Sequence, residues 1–272
     1  MSTLYLVATP IGNLEDISER ALKVLRTVRL IAAEDTRQTA KLLQHFDIRT
    51  PVRSYHEHNK VTRLDNILSV LAEGDVALVS DAGTPALNDP GYELVRAALS
   101  AGHIVSPIPG ACAPIAALVA SGLPTDAFLY LGYLPRKSSE RRAFVRQIGN
   151  LPYTLIFLEA PHRLLESLID LQEMLGNREM AVARELTKLH EEIFRGSVEA
   201  ARTHFGAHPP KGEFTLVVAG FTFTEERWPE ERLRAELTQR LASGEAPARI
   251  AAGVAEVSGW PRREVYRMLT DS

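Results

Sequence analysis

Short apolar runs alternate with stretches of helical periodicity along the N-terminal part of the chain. Leu4–Ala8, Leu30–Ala32, Val76–Val79 and His103–Ser106 read as strands. Between them, Ile17, Ala21, Val24 and Leu25 recur at helical spacing and predict a helix from about Asp16. Further helices are predicted over Gln38–Phe46, Arg63–Glu73, Gly91–Ala101 and Ala113–Ala120, two of them closed by Gly74 and Gly102. Strands alternating with helices imply a mostly parallel α/β sheet. A second unit starts near Pro124–Pro135, with strands at Phe128–Tyr133, Thr154–Leu158, Met180–Ala183 and Phe214–Ala219 and helices at Ala143–Ile148 and Arg163–Leu175. The unbroken apolar run Thr154–Leu158 is the pattern of a strand buried on both faces. From Thr224 the chain turns rich in Glu and Arg. Helices are predicted at Glu230–Ala242, Ala246–Val257 and Pro261–Leu269, the last two separated by Ser258-Gly259-Trp260, a helix-turn-helix-sized unit.

The pattern therefore divides the chain into an α/β domain over 1–123, a second α/β domain over 124–223 and a helical unit over 224–272. A length of 272 residues accommodates this, since roughly 150 residues make a typical domain. No run of about 20 apolar residues exists, and Leu4–Ala8 is too short for a signal sequence, so a soluble protein with no membrane partner is expected. The single cysteine, Cys112, excludes an internal disulfide framework and suits a reducing cytoplasm. A formal charge of −3 advertises no global nucleic-acid field, but the basic residues are uneven. Arg136, Lys137, Arg141, Arg142 and Arg146 crowd one segment against the single acid Glu140, and Arg262, Arg263 and Arg267 line the last helix. Such patches are solvated faces in many proteins and phosphate contacts in some.

Ligands of open parallel sheets bind beyond the carboxyl ends of the strands. Four loops there are built from Gly, Pro and small residues: Thr9–Asn13, Ser80–Pro85, Pro109–Ala113 and Glu159–Arg163. Each alone reads equally well as a tight turn, whereas four together point to one cleft. No dinucleotide fingerprint, P-loop, nucleophile elbow or cysteine cluster for zinc occurs, and His56-Glu57-His58 is too tightly spaced for a convincing metal site; no metal is expected. Glu34-Asp35-Thr36-Arg37 reads either as an N-cap with a local ion pair or as carboxylates that orient a hydroxyl or a sugar. Ser54–Asn59 is dense in hydrogen-bonding side chains, a solvated loop or a base-reading one.

The segments LYLVATPIGNLEDIS, VALVSDAGTPALNDPG, IPGACAPIAALVASGLP, FLEAPHR, RELTKLHEE and GEFTLVV occur in this order. Together they resemble the tetrapyrrole-methylase superfamily of S-adenosylmethionine-dependent methyltransferases, and within it the branch that 2′-O-methylates a cytidine of bacterial 16S ribosomal RNA. The resemblance implies two α/β domains with the cofactor in the cleft between them, plus a homodimer, with the small ribosomal subunit as partner. It places Pro10, Ile11, Gly12, Asp81, Gly83, Thr84, Cys112 and Ala113 on the cofactor. The usual Gly-Asp-Pro loop stands here as Ser80-Asp81-Ala82, and Cys112 replaces a hydroxyl residue. A ribose hydroxyl is a poor nucleophile while protonated, so a base is expected, with Glu34, Asp35, His56 and Glu159 as candidates. Arg37, His162 and Arg163 are expected on RNA phosphate and sugar, with Arg136, Lys137, Arg141, Arg142, Arg262 and Arg263 as further substrate contacts. A tetrapyrrole or diphthine-type methylase, and a non-catalytic RNA-binding protein, are the alternatives.

Overall fold

The computed structural model describes residues 2–55, 60–207, 210–222 and 227–270, with the side chains of 60–63 and 256 left aside. The chain forms two compact units, Met1–Gly220 and Phe221–Ser272.

The first unit begins with five strands, β1 (Thr3–Val7), β2 (Leu30–Ala33), β3 (Val52–Ser54), β4 (Val76–Val79) and β5 (Ile104–Ile108). They pair in the order β3-β2-β4-β1-β5, and every pair is parallel. Helices α1 (Glu19–Thr27), α2 (Thr36–His45), α3 (Lys60–Glu73) and α4 (Tyr92–Ser100) make the crossovers. Alternate residues serve opposite faces: Ile31, Ala33, Ala77 and Val79 pack with Val24, Leu25 and Leu43, whereas Leu30, Ala32, Val76 and Leu78 pack with Ile67, Leu71 and Leu94. Burial on both faces is why these strands read as continuous apolar runs. The first helix starts later than its periodicity predicts, because Ser18 caps α1 by accepting from Ala21 N–H at 3.1 Å, while Leu14–Asp16 forms a separate 3-10 turn.

After α5 (Ala113–Ser121), a second sheet follows, made of β6 (Phe128–Tyr133), β7 (Thr154–Glu159), β8 (Glu179–Arg184), β9 (Glu192–Ser197) and β10 (Phe214–Val218) in the order β6-β7-β10-β8-β9. Only β6 and β7 are parallel; β10 runs antiparallel between β7 and β8. Helices α6 (Ser138–Ile148), α7 (Leu164–Leu175) and α8 (Val198–Gly206) cover one face through Val145, Leu168, Leu171 and Phe205. The other face takes α5, whose Ala117 and Leu118 pack on Ile156, Ala181, Ala183 and Val217. A helix of the 1–123 segment thus supplies part of the second sheet's core. The two sheets thereby belong to one compact unit.

The second unit holds α9 (Glu230–Ala242), α10 (Pro247–Ser258) and α11 (Arg262–Thr270) around Leu233, Leu237, Ile250, Val254, Val265 and Leu269. Gly259 adopts the left-handed conformation at the turn between α10 and α11. Among the described residues no helix is long and apolar enough to cross a membrane.

Candidate functional site

The carboxyl ends of β1, β2 and β4 converge with the β6–β7–β10 edge of the second sheet on a cleft of about 300 Å³. Because β10 is antiparallel to β7, with Phe214 opposite Glu159, the start of β10 lies beside the carboxyl end of β7 and adds Glu213 and Thr215 to the wall. The loops of the first sheet are laced together. Thr9 and Gly83 exchange backbone hydrogen bonds at 2.9 and 3.0 Å, a bridge for which Gly83 takes φ +80°. The Thr84 hydroxyl donates to the Ala111 carbonyl at 3.2 Å. Asp81 accepts from Asp35 N–H at 2.9 Å, and its own N–H donates to Glu34 at 3.4 Å, tying the β2 and β4 loops.

Glu34, Asp81, Asp89, Glu159 and Glu213 all line this cleft. Burial, with the charges of Asp89, Asp81 and Asp35 nearby, raises the Glu34 pKa above its ordinary value despite the Asp81 N–H bond. Burial raises Asp89 as well, helped by Asp81 and Glu213, although a bond from Ser80 pulls the other way. Carboxylates that resist ionisation in company favour a positively charged guest. Tyr130 contributes a hydroxyl pushed up to about 12 by burial, with no hydrogen-bond partner among the described residues. Ala86 and Asn88, in the loop after β4, hold φ of 65° and 63°, a conformation costly for residues other than glycine and concentrated at functional sites.

Of the residues expected on a cofactor, Ile11, Asp81, Gly83, Thr84, Cys112 and Ala113 line the cleft. Pro10 is not among its lining residues, and Gly12 turns instead toward Thr187 and Lys188, where the Asn13 N–H donates to the Thr187 hydroxyl at 3.1 Å. S-adenosylmethionine carries a sulfonium and an ammonium, and the acidic lining together with the orphaned Tyr130 hydroxyl fits such a guest.

The base candidates separate. Asp35 caps α2 by accepting from Arg37 N–H at 2.8 Å and pairs with the Arg37 side chain, which holds its carboxyl down at about 2 and leaves it a weak base. Glu159 is buried, with its oxygens taken by Ala160 N–H at 2.8 Å, by Arg163 at 2.5 Å and by Ser167 at 2.5 Å, so it serves structure. His56 lies outside the described residues. Of the described candidates Glu34 remains, half-buried in the cleft.

The basic residues separate too. Arg136, His162 and Arg163 line a second depression of about 550 Å³ with Tyr133, Leu134 and Ala160. Arg163 is committed to Glu159 and to the Leu134 carbonyl at 3.2 Å, whereas Arg136 and His162 are exposed. Arg141, expected on RNA, is 1% exposed and bound to Asp170 at 2.6 Å and to the Pro135 and Arg136 carbonyls, which removes it from any phosphate. Arg142 pairs with Asp170 at 2.5 Å and with Glu173 at 2.8 Å, and Lys137 with Glu140 at 3.0 Å. Arg37, with its side chain 88% exposed, is held by Asp35. In the second unit Arg262, Arg263, Tyr266 and Arg267 form an exposed face of α11, and the acid of that helix, Glu264, is paired with Arg227, which also stacks on Trp260 at 3.4 Å.

Residues 3–202 match the family model of tetrapyrrole (corrin/porphyrin) methylases. The chain belongs to the tetrapyrrole methylase family. Relatives named ribosomal RNA small subunit methyltransferase I share 51% identity in Synechocystis sp., over 98% of this chain and 97% of the relative, and 48% in Escherichia coli O157:H7, over 97% and 93%. Among solved structures, the methyltransferase CobJ superimposes with a TM-score of 0.60 at 17% identity, covering 81% of this chain and 95% of that one. Uroporphyrin-III-C-methyltransferase from Thermus thermophilus gives 0.55 at 21% identity, over 80% and 94%. These two likenesses concern the fold that this tetrapyrrole methylase shares with them. Among the cleft residues that no sequence motif marks are the polar and aromatic ones Asn88, Asp89, Tyr130, Tyr133 and Glu213. Asp89 is, with Asp81, one of two acids in the Val76–Gly91 segment, and that is the signal the sequence offers for it. Tyr130 and Tyr133 looked like ordinary strand aromatics.

Proposed function

We propose that this protein transfers a methyl group from S-adenosylmethionine to the 2′-hydroxyl of a cytidine in the 16S rRNA of the small ribosomal subunit. The observation that carries the reading is the pairing of an acidic cleft with a basic depression, the two meeting at Tyr133. The near-full-length kinship with small-subunit rRNA methyltransferases supports it.

S-adenosylmethionine, when bound, supplies a sulfonium methyl for in-line attack by the acceptor oxygen. Asp81 braces the Glu34-Asp35 loop and lends its charge to the cationic guest, while Ile11, Gly83, Thr84 and Ala113 offer a wall of small groups to it. Glu34 is the base in this reading: its half-burial and raised pKa bring it toward working pH as a proton acceptor for the ribose hydroxyl. Arg136 and His162 receive backbone phosphate at the rim, and the α11 arginines add a second basic contact. The working form in this proposal is a cytoplasmic homodimer, for which Ile115 and Val119, 41% and 69% exposed on α5, supply apolar surface. Analytical ultracentrifugation decides that point, and a monomer at micromolar concentration would refute it. For the activity, methyl incorporation into undermethylated small subunits, with the product nucleoside identified by mass spectrometry, is the test. An unmodified ribose would overturn the reading.

A further inference from the structure

Tyr133 ends β6 and takes part in both walls, the acidic cleft and the basic depression. Its presence there depends on a break in the strand. Tyr130 pairs with Ile156 and Tyr133 with Leu158, so three residues of β6 advance against two of β7. One extra residue reverses the side-chain alternation, and both tyrosines line the same cleft. Gly132 makes the bulge possible with φ +65°, and a Cβ there would stand 2.5 Å from the Asn88 amide nitrogen. Tyr133 is 53% exposed and has no place in the hydrophobic core of the second sheet. A bulge that turns a large aromatic out of the core and onto the seam between two depressions calls for a ligand to cover that ring.

The chemistry on either side identifies the ligand. On one side lie the exposed Arg136 and His162, suited to phosphate. On the other lies the cleft with Glu34. A nucleotide stacked within RNA cannot bring its ribose into such a cleft, and enzymes that act on single nucleotides replace the lost stacking with an aromatic face. We propose that Tyr133 is the stacking platform for the base of the acceptor nucleotide, which is unstacked from the RNA with its phosphate on Arg136 and His162 and its ribose toward Glu34. The inference rests on the rRNA methyltransferase reading above.

Steady-state methyl transfer to undermethylated small subunits tests it, with Tyr133→Ala, Tyr133→Phe and Tyr133→Trp compared with the unaltered protein. Cofactor binding is measured in parallel by calorimetry with S-adenosylmethionine alone. Loss of one stacked base should raise the KM for subunits about 10- to 100-fold in Tyr133→Ala, with cofactor affinity within about two-fold of the unaltered protein. Tyr133→Phe and Tyr133→Trp should recover most of that loss, because a ring face is what the base needs. A Tyr133→Ala KM within about two-fold of normal, a Tyr133→Phe defect as deep as that of alanine, or a parallel loss of cofactor affinity would each overturn the platform. Failure of the unaltered protein to methylate subunits would overturn the function reading itself, and the platform with it.

Discussion

Replacing Asp170 by Asn separates the structural arginine of the basic segment from those free to meet RNA. The Asp170 carboxylate is 3% exposed and accepts from Arg141 at 2.6 Å, from Arg142 at 2.5 Å and from the Ser138 hydroxyl at 3.0 Å. Burial pushes its pKa up, but the bonds from Arg142, Ser138 and Arg141 outweigh that and hold it below the ordinary value. Asparagine keeps the shape and removes the charge. Arg142, 39% exposed, turns to Glu173 and water, whereas Arg141 at 1% exposure has only two carbonyls and a 3.9 Å approach to Glu166. Stranding one member of a buried pair costs about 3–5 kcal/mol. For a unit of this size each kcal/mol shifts Tm by about 2–4 °C, so a drop of about 6–20 °C is expected in scanning calorimetry. Because the folded pKa is depressed, Asp170 stabilises the protein above about pH 3.9 and the difference from Asp170→Asn closes as pH falls below that. The double variant Arg141→Met/Asp170→Leu should recover most of the loss, since an apolar pair of similar volume replaces a buried ion pair at little cost. A penalty below about 1 kcal/mol for Asp170→Asn would refute the assignment of Arg141 to structure.

Asp81→Ala should weaken S-adenosylmethionine binding at least ~10-fold by calorimetry, because it removes a charge and frees the Glu34-Asp35 loop; unchanged affinity would remove Asp81 from the cofactor site. Glu34 is raised in the folded cleft, so ionising it opposes folding above its pKa; Glu34→Gln should therefore raise Tm at pH 8, with the gain vanishing as pH falls through the carboxylate range. The same variant should lose about 10²-fold or more in kcat with cofactor affinity largely kept, and a kcat within about three-fold of normal would exclude Glu34 as base. Replacing Arg262, Arg263 and Arg267 by Gln should weaken subunit binding and flatten its salt dependence by roughly two to three charges while sparing cofactor binding; an unchanged salt slope would show that α11 touches no phosphate.

The parallel sheet was legible because both of its faces are buried and its strands are apolar without alternation. β3 and β9 were not, since Val52-Arg53-Ser54 and Glu192–Ser197 are short or polar segments at sheet edges, where one face meets water. The small-residue loops were readable as a cleft, because backbone approach demands small side chains wherever the cleft forms. What they enclose was less readable. Asp89 and Glu213 come together only through the antiparallel insertion of β10, a pairing no local pattern announces. Tyr133 reaches the cleft only through a bulge, which moves a side chain to the other face without changing the composition around it. Arg141 sits in a run of arginines that looks uniform in sequence, yet one helical face of that run turns inward onto Asp170.

Methyl transfer to the ribose of ribosomal RNA can be read directly from the product nucleoside. Undermethylated small subunits incubated with purified protein and isotopically labelled S-adenosylmethionine, then digested to nucleosides and resolved by mass spectrometry, should yield labelled 2′-O-methylcytidine. Label on a base, on protein or on no component of the subunit would contradict ribose methylation.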